Sequence, residues 1–326
     1  MKQTTRIYQI GSSLVGRLLI CLCLLAGGTQ FAAAQYASPR IYDMVGGYPI
    51  EKDTYGRMMV GVHVNGQGPF PFILDTGASR SIIYRSLTSR MHLQSVENKS
   101  RRIITVSGYV RALVYPIKDV YALGASLKLE DTVALPDVTG SEALGLLGVD
   151  LLAGKTLEIR HRDYIAKLHA SPLSLRGDGW QFIQGKPVAY GSLALEIDVG
   201  GVSIPLIVDT GASHTIINKA GADTLMRSAQ GVARRKIAPL IIGGIHANEQ
   251  VILPVFALGP YVTKDKAIYV SDLPIFSLLG ARRVPAIILG MDVLGEQGFA
   301  IDFANWRLYL NTKNELPVAI TAEAKK

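Results

Sequence analysis

Asp75-Thr76-Gly77-Ala78-Ser79 recurs as Asp209-Thr210-Gly211-Ala212-Ser213 in this chain of 326 residues. Each pentapeptide ends an apolar run, Phe72-Ile73-Leu74 and Leu206-Ile207-Val208, and leads into another, Ile82-Ile83 and Ile216-Ile217. A strand running into a sharp glycine turn puts a carboxylate at the strand's end. Two such turns on two similar halves can face each other across a pseudo-twofold axis, where two acids share a proton and activate a water.

The repeat extends outward from the pentapeptides. Tyr55-Gly56 and Tyr190-Gly191 precede the aspartates by 20 and 19 residues, a span that fits a two-stranded hairpin. Met59 to Val64 and Leu193 to Val199 alternate apolar with polar or small residues and reach turns at Asn65-Gly66 and Gly200-Gly201, a pattern that predicts hairpins. Downstream, Leu146-Leu147-Gly148-Val149-Asp150 matches Ile288-Leu289-Gly290-Met291-Asp292 at a constant offset of 142 that holds to Leu168 and Leu310. Both copies close in a predicted hairpin, turning near Arg162-Asp163 and Ala304-Asn305. Short helices are expected after Gly148 and Gly290 and over Lys219 to Ser228. Between these landmarks Ser107-Gly108 and Gly243-Gly244 sit between apolar runs, 33 and 34 residues after the aspartates, and read as the tips of two further hairpins. Many short strands with glycine turns predict an all-β chain of two pseudo-symmetric barrel lobes.

The organisation read from the sequence is a signal peptide at 1–34, a leader or short pro-segment at 35–54, a first lobe at 55–168, a linker at 169–187, a second lobe at 188–313 and a flexible tail at 314–326. Lys2, Arg6 and Arg17 before the apolar run Leu18 to Ala26, then Ala32-Ala33-Ala34, give the pattern of a cleaved secretory signal. Both cysteines, Cys21 and Cys23, lie within it, so the mature chain is expected to lack disulfides and thiol chemistry. The location expected is periplasmic or secreted, without stable membrane insertion after cleavage. The net charge of +8 includes +3 from the signal segment. Arg101-Arg102 and Arg234-Arg235-Lys236 read as solvated basic faces, and no aromatic interleaving points to nucleic acid. The histidines show no metal-ligand spacing, and there is no Gly-x-Ser-x-Gly elbow or phosphate loop, so neither metal nor cofactor is expected.

The paired motifs resemble the retropepsin-like aspartic peptidases of bacteria, in a form with two fused lobes. The resemblance covers residues 55–168 and 190–310 and rests on the two Asp-Thr-Gly-Ala-Ser turns and the later Leu146-Leu147-Gly148 and Ile288-Leu289-Gly290. It implies an aspartic endopeptidase that acts on polypeptides, with Asp75 and Asp209 as its catalytic pair. Thr76 and Thr210 would cross-bond beneath the pair, Gly77 and Gly211 would turn their amides toward it, and Ser79 and Ser213 would bond nearby backbone or the outer carboxylate oxygens. The hairpins at Gly108-Tyr109 and Gly243-Gly244 would be flaps over the substrate, with Tyr109 as a candidate flap aromatic. Ala78 and Ala212 stand where pepsin-like enzymes often carry Ser or Thr, which implies a milder pH optimum than pepsin's. Lobe pairing within one monomer is expected, since fusion favours it over pairing between chains. The competing reading is a non-catalytic peptide-binding module on the same scaffold. Asp150 and Asp292 read as stabilisers of helix N-termini, and His214 as a core-edge residue. Asp302 faces Arg160 in the repeat, so the two terminal hairpins are expected to pack differently.

Overall fold

The computed structural model describes residues 46–170, 175, 179–188, 191–242 and 245–311. The alternation in Met58–Val64 and Gln67–Leu74 makes an antiparallel hairpin with Met59 opposite Ile73. Its turn residues Asn65 and Gly66 both have positive φ, 47° and 75°, the backbone a two-residue hairpin of primed type requires. The second lobe repeats the unit as Leu193–Val199 and Val202–Val208, turning at Gly200 and Gly201 with φ of 60° and 84°.

In each lobe the strand before the aspartate is joined by a short strand from far downstream. Gly145–Leu147 runs parallel to Gln67–Leu74 and antiparallel to Ile82–Tyr84, so it lies between the strands that flank the Asp75 turn. Ile287–Leu289 does the same between Val202–Val208 and Ile216–Ile217. The helices Val149–Leu152 and Met291–Leu294 follow at once, and Lys219–Ser228 is helical over the expected span, capped by the Asn218 side chain accepting from Gly221 N. Two short helices, Arg85–Arg90 and Pro274–Leu278, were not foreseen. Both expected flap hairpins form: Ser100–Thr105 with Gly108–Tyr115, and Ala233–Ile242 with Ile245–Leu258. The tip of the second, Gly243-Gly244, lies outside the described residues.

A six-stranded ribbon joins the lobes. The first lobe's terminal strand Lys155–Arg160 pairs with Phe299–Asp302 of the second, Leu157 opposite Ile301. Ile165–Ala170 and Tyr48–Lys52 extend it on one side, Arg307–Asn311 and Trp180–Gln184 on the other. Two expected boundaries change here. Tyr48–Lys52, placed with the leader, is a strand of this ribbon that also pairs with Met58–Val64. Within the expected linker 169–187, Trp180–Gln184 pairs with Arg307–Asn311 and Lys186–Pro187 with Leu193–Val199. The flanking Pro, Gly and Ser dominate the composition of that stretch and hide a strand whose neighbour is more than a hundred residues away. The signal-segment and tail expectations lie outside the described residues.

One hydrophobic core runs through both lobes, taking in Phe72, Leu74, Leu157, Leu206, Val208, Leu289, Phe299 and Ile301. The opposite face of each lobe sheet has a smaller cluster: Met59, Ile73, Ile82, Tyr84, Ala112 and Val114 in the first, Ile216, Leu273, Phe276 and Ile288 in the second. The Asp turns sit where these layers meet. Asp302 is fully buried and accepts from Ala304 N, Asn305 N and Asn305 Nδ2, closing its hairpin turn, whereas Arg160 donates to Glu158 beside it. The two terminal hairpins therefore differ in how they are held.

Candidate active site

The Asp75 and Asp209 carboxyls come within hydrogen-bond reach of each other. Each is fixed by its own loop. Asp75 N donates to Leu147 O at 2.9 Å and Asp209 N to Leu289 O at 3.0 Å, so both turns hang from the inserted strand. Asp75 Oδ1 accepts from Gly77 N at 3.0 Å and Ala78 N at 2.9 Å; Asp209 Oδ1 accepts from Gly211 N at 2.8 Å.

The glycines are required by close approach. A Cβ on Gly77 would fall 2.6 Å from Asp209 Cγ, and one on Gly211 would fall 2.6 Å from both carboxylate oxygens of Asp75. Each glycine thus lies against the other lobe's acid.

Beneath the pair the threonines cross-bond. Thr76 Oγ1 donates to Val208 O at 3.0 Å and accepts from Thr210 N at 3.0 Å. Thr210 Oγ1 donates to Leu74 O at 2.7 Å and accepts from Thr76 N at 3.1 Å. Both residues are buried, so these four bonds close every donor and acceptor they involve. Thr76→Val keeps the shape but strands Thr210 N and Val208 O. At about 1–3 kcal/mol for each of the two stranded groups, urea unfolding should show a loss of roughly 2–6 kcal/mol. A loss below about 0.5 kcal/mol would show that the cross-bonds do not hold the lobes.

Ser79 and Ser213 make no side-chain hydrogen bond among the described residues, and Ser79 is exposed, because the turn carries that position outward. The supporting role falls two residues later. Ser81 Oγ donates to Asp150 Oδ1 at 2.7 Å and accepts from Gly148 N at 3.1 Å. Thr215 Oγ1 donates to Asp292 Oδ1 at 2.6 Å and accepts from Gly290 N at 3.1 Å. Asp150 and Asp292 do lie in the first turns of their helices, but Asp150 accepts chiefly from the Ser81 N–H and hydroxyl, and Asp292 from the Thr215 hydroxyl. The signal was present: the offset of 134 that maps Asp75 on Asp209 also maps Ser81 on Thr215.

Gly108 begins the second strand of the first of the two expected flap hairpins, with Thr105 opposite. Tyr109 is opposite Ile104, is 53% exposed and carries the Arg102 guanidinium 3.6 Å from its ring centre. The other face of the hairpin bears Ile103 and Ala112, which pack on the cluster containing Ile82 and Tyr84. Tyr109 therefore belongs to the face turned away from that cluster. His214 packs its ring 4.9 Å from Tyr269.

Electrostatically, burial dominates. It raises both aspartates above the ordinary carboxylate range, and the Asp75 charge adds to burial in pushing Asp209 up to about 8. Two carboxyls this close cannot both ionise cheaply, so the pair holds one proton over a wide pH range; aspartic proteases are a standard instance of that coupling.

A family model of aspartyl proteases matches residues 60–151 and 195–293, each match containing one Asp turn and its inserted strand. The two matches together span more than half of the chain, and the protein belongs to the aspartyl protease family, in its retropepsin-like branch. No curated protein sequence matches the chain significantly.

Proposed function

We propose that the protein is an exported aspartic endopeptidase in which Asp75 and Asp209 activate one water against a peptide bond. The observation that carries this reading is the meeting of the two carboxyls, one from each lobe, over the crossed threonines. A polypeptide lies extended across the pair, under the hairpins that project from the two lobes. The ionised member takes a proton from the water, whose oxygen attacks the carbonyl carbon. The protonated member gives its proton to the carbonyl oxygen. The diol then collapses, the leaving nitrogen is protonated, and no covalent intermediate forms. Export follows from the amino-terminal sequence pattern, and the two lobes of a single chain complete the site.

The test is cleavage of a peptide library by purified protein across a range of pH. Activity needs the singly protonated pair, so it declines as the second carboxyl ionises. With that ionisation raised toward about 8, the profile should extend to near neutrality. A profile peaking only below about pH 3, under the unperturbed Asp value, would contradict this. Peptides bound but never cut would favour the binding-module reading.

A further inference from the structure

We infer that Arg57 fixes where the pair's single proton resides, holding Asp75 as the ionised member and leaving Asp209 as the acid; the kinetic part of this inference rests on the peptidase reading above. The hairpin register supplies the geometry. The ladder's last pair is Met59 opposite Ile73; its register, continued two residues past the strand ends, brings Arg57 toward Asp75, whose carboxyl feels the Arg57 charge. Directly opposed residues of an antiparallel pair have Cα atoms about 4.5–5.5 Å apart and share a face. That face is the one that carries Met59, Ile73 and Tyr84.

Arg57 is not free to swing into solvent. Its side chain is 12% exposed, and Asp53 takes its Nε and Nη2. The Asp53 carboxylate also accepts from Tyr55 N, Arg57 N and Ser141 Oγ, so the ion pair is pinned to the chain on several sides. In the second lobe the ladder's last pair is Ala194 opposite Ile207, and the same continuation past the strand ends brings Ser192 toward Asp209. A buried hydroxyl therefore occupies the place of the cation. The loop amides do not separate the two acids, since Gly77 and Ala78 serve Asp75 as Gly211 and Ala212 serve Asp209, so the difference between the lobes lies in Arg57.

Besides Arg57, the titratable groups that act on Asp75 or feel its charge are Asp209 and Tyr84, and Tyr84 in turn feels Asp53 and Asp137. Burial raises the Tyr84 hydroxyl, which stays neutral, and Asp53 is ion-paired with Arg57. The proton ledger then reads in one direction. Water gives its proton to Asp75 as its oxygen bonds to the carbonyl carbon, and Asp209 gives its own to the carbonyl oxygen. On collapse Asp75 protonates the leaving nitrogen as the C–N bond breaks, and a diol hydroxyl returns a proton to Asp209. Arg57 touches no reacting atom; it is a positioning residue.

The test is the carboxyl-carbon NMR titration of the full mature chain carrying 13C at aspartate Cγ, with Asp75→Asn and Asp209→Asn used for assignment. At pH 6 the Asp209 resonance should be that of a protonated carboxyl and the Asp75 resonance that of a carboxylate. Replacing both ion-pair members, Asp53→Asn with Arg57→Met, avoids leaving a lone buried charge. It should spread the proton over both aspartates and move the acid limb of the kcat/KM profile up by about one pH unit, a tenfold loss on that limb. Arg57→Lys keeps the charge and should leave proton placement and limb as in the native protein. A proton on Asp75 in the native protein overturns the inference, even if the double variant does not fold. An unchanged proton distribution in a folded double variant overturns it equally. If the native protein cuts no peptide, the peptidase reading fails, while the carbon titration still decides the role of Arg57.

Discussion

Asp75→Asn and Asp209→Asn should each lower kcat/KM for peptide cleavage by at least about a thousandfold, the upper range for loss of a positioned acid or base. The two acids act as one unit, so the double variant should be scarcely worse than either single one. The loss should fall on kcat, because asparagine has the size of aspartate and the substrate path is unchanged. The fold should survive, since the crossed threonines and the inserted strands do not depend on the carboxylate charge. Stability should in fact rise. Asp209 in the folded protein keeps a proton that the unfolded chain loses near the ordinary carboxylate value, so stability is full below about pH 4 and declines as pH rises toward about 8. Asparagine removes that decline. Wild-type cleavage in either purified variant would remove the pair from the reaction.

The second large effect belongs to the glycines. Gly77→Ala and Gly211→Ala each place a methyl group against the opposite lobe's carboxyl, 2.6 Å from Asp209 Cγ in one case and from the Asp75 oxygens in the other. The carboxyls are held by their own amides and the threonines are locked below, so the relief available is separation of the two turns. A displacement of about 1 Å at reacting groups costs on the order of a hundredfold in rate. Each alanine should therefore reduce kcat/KM by about that factor or more and also lower the midpoint of thermal unfolding. The readouts are the kinetics and a thermal melt on the same samples. Native rates in either variant would mean that the turns do not meet as closely as described.

The duplicated pentapeptide and the ungapped match around Gly148 and Gly290 made the two-lobed β architecture readable, because a repeat encodes local geometry twice and each copy checks the other. The facing of Asp75 and Asp209 was legible for the same reason, whereas the crossing of Thr76 with Thr210 came from the family resemblance. What escaped depends on distant partners. Trp180–Gln184 becomes a strand only because Arg307–Asn311 offers it a ladder. Arg85–Arg90 is too short for helical periodicity to announce it. Ser81 and Thr215 were passed over in favour of Ser79 and Ser213, since adjacency to the motif suggested a contact that the outward course of the turn prevents. Nothing in the sequence marks Arg57, because its approach to Asp75 depends on the register of the folded hairpin.

The measurement closest to the central claim needs no substrate. A double-mutant cycle of unfolding free energies for native, Asp75→Asn, Asp209→Asn and the double variant, taken near pH 8, reads whether the two carboxyls occupy one site. The account predicts that either substitution alone relieves most of the repulsion, so that the effects fall short of additivity by at least about 1 kcal/mol. Additivity within about 0.5 kcal/mol, as found for residues that do not touch, would contradict it.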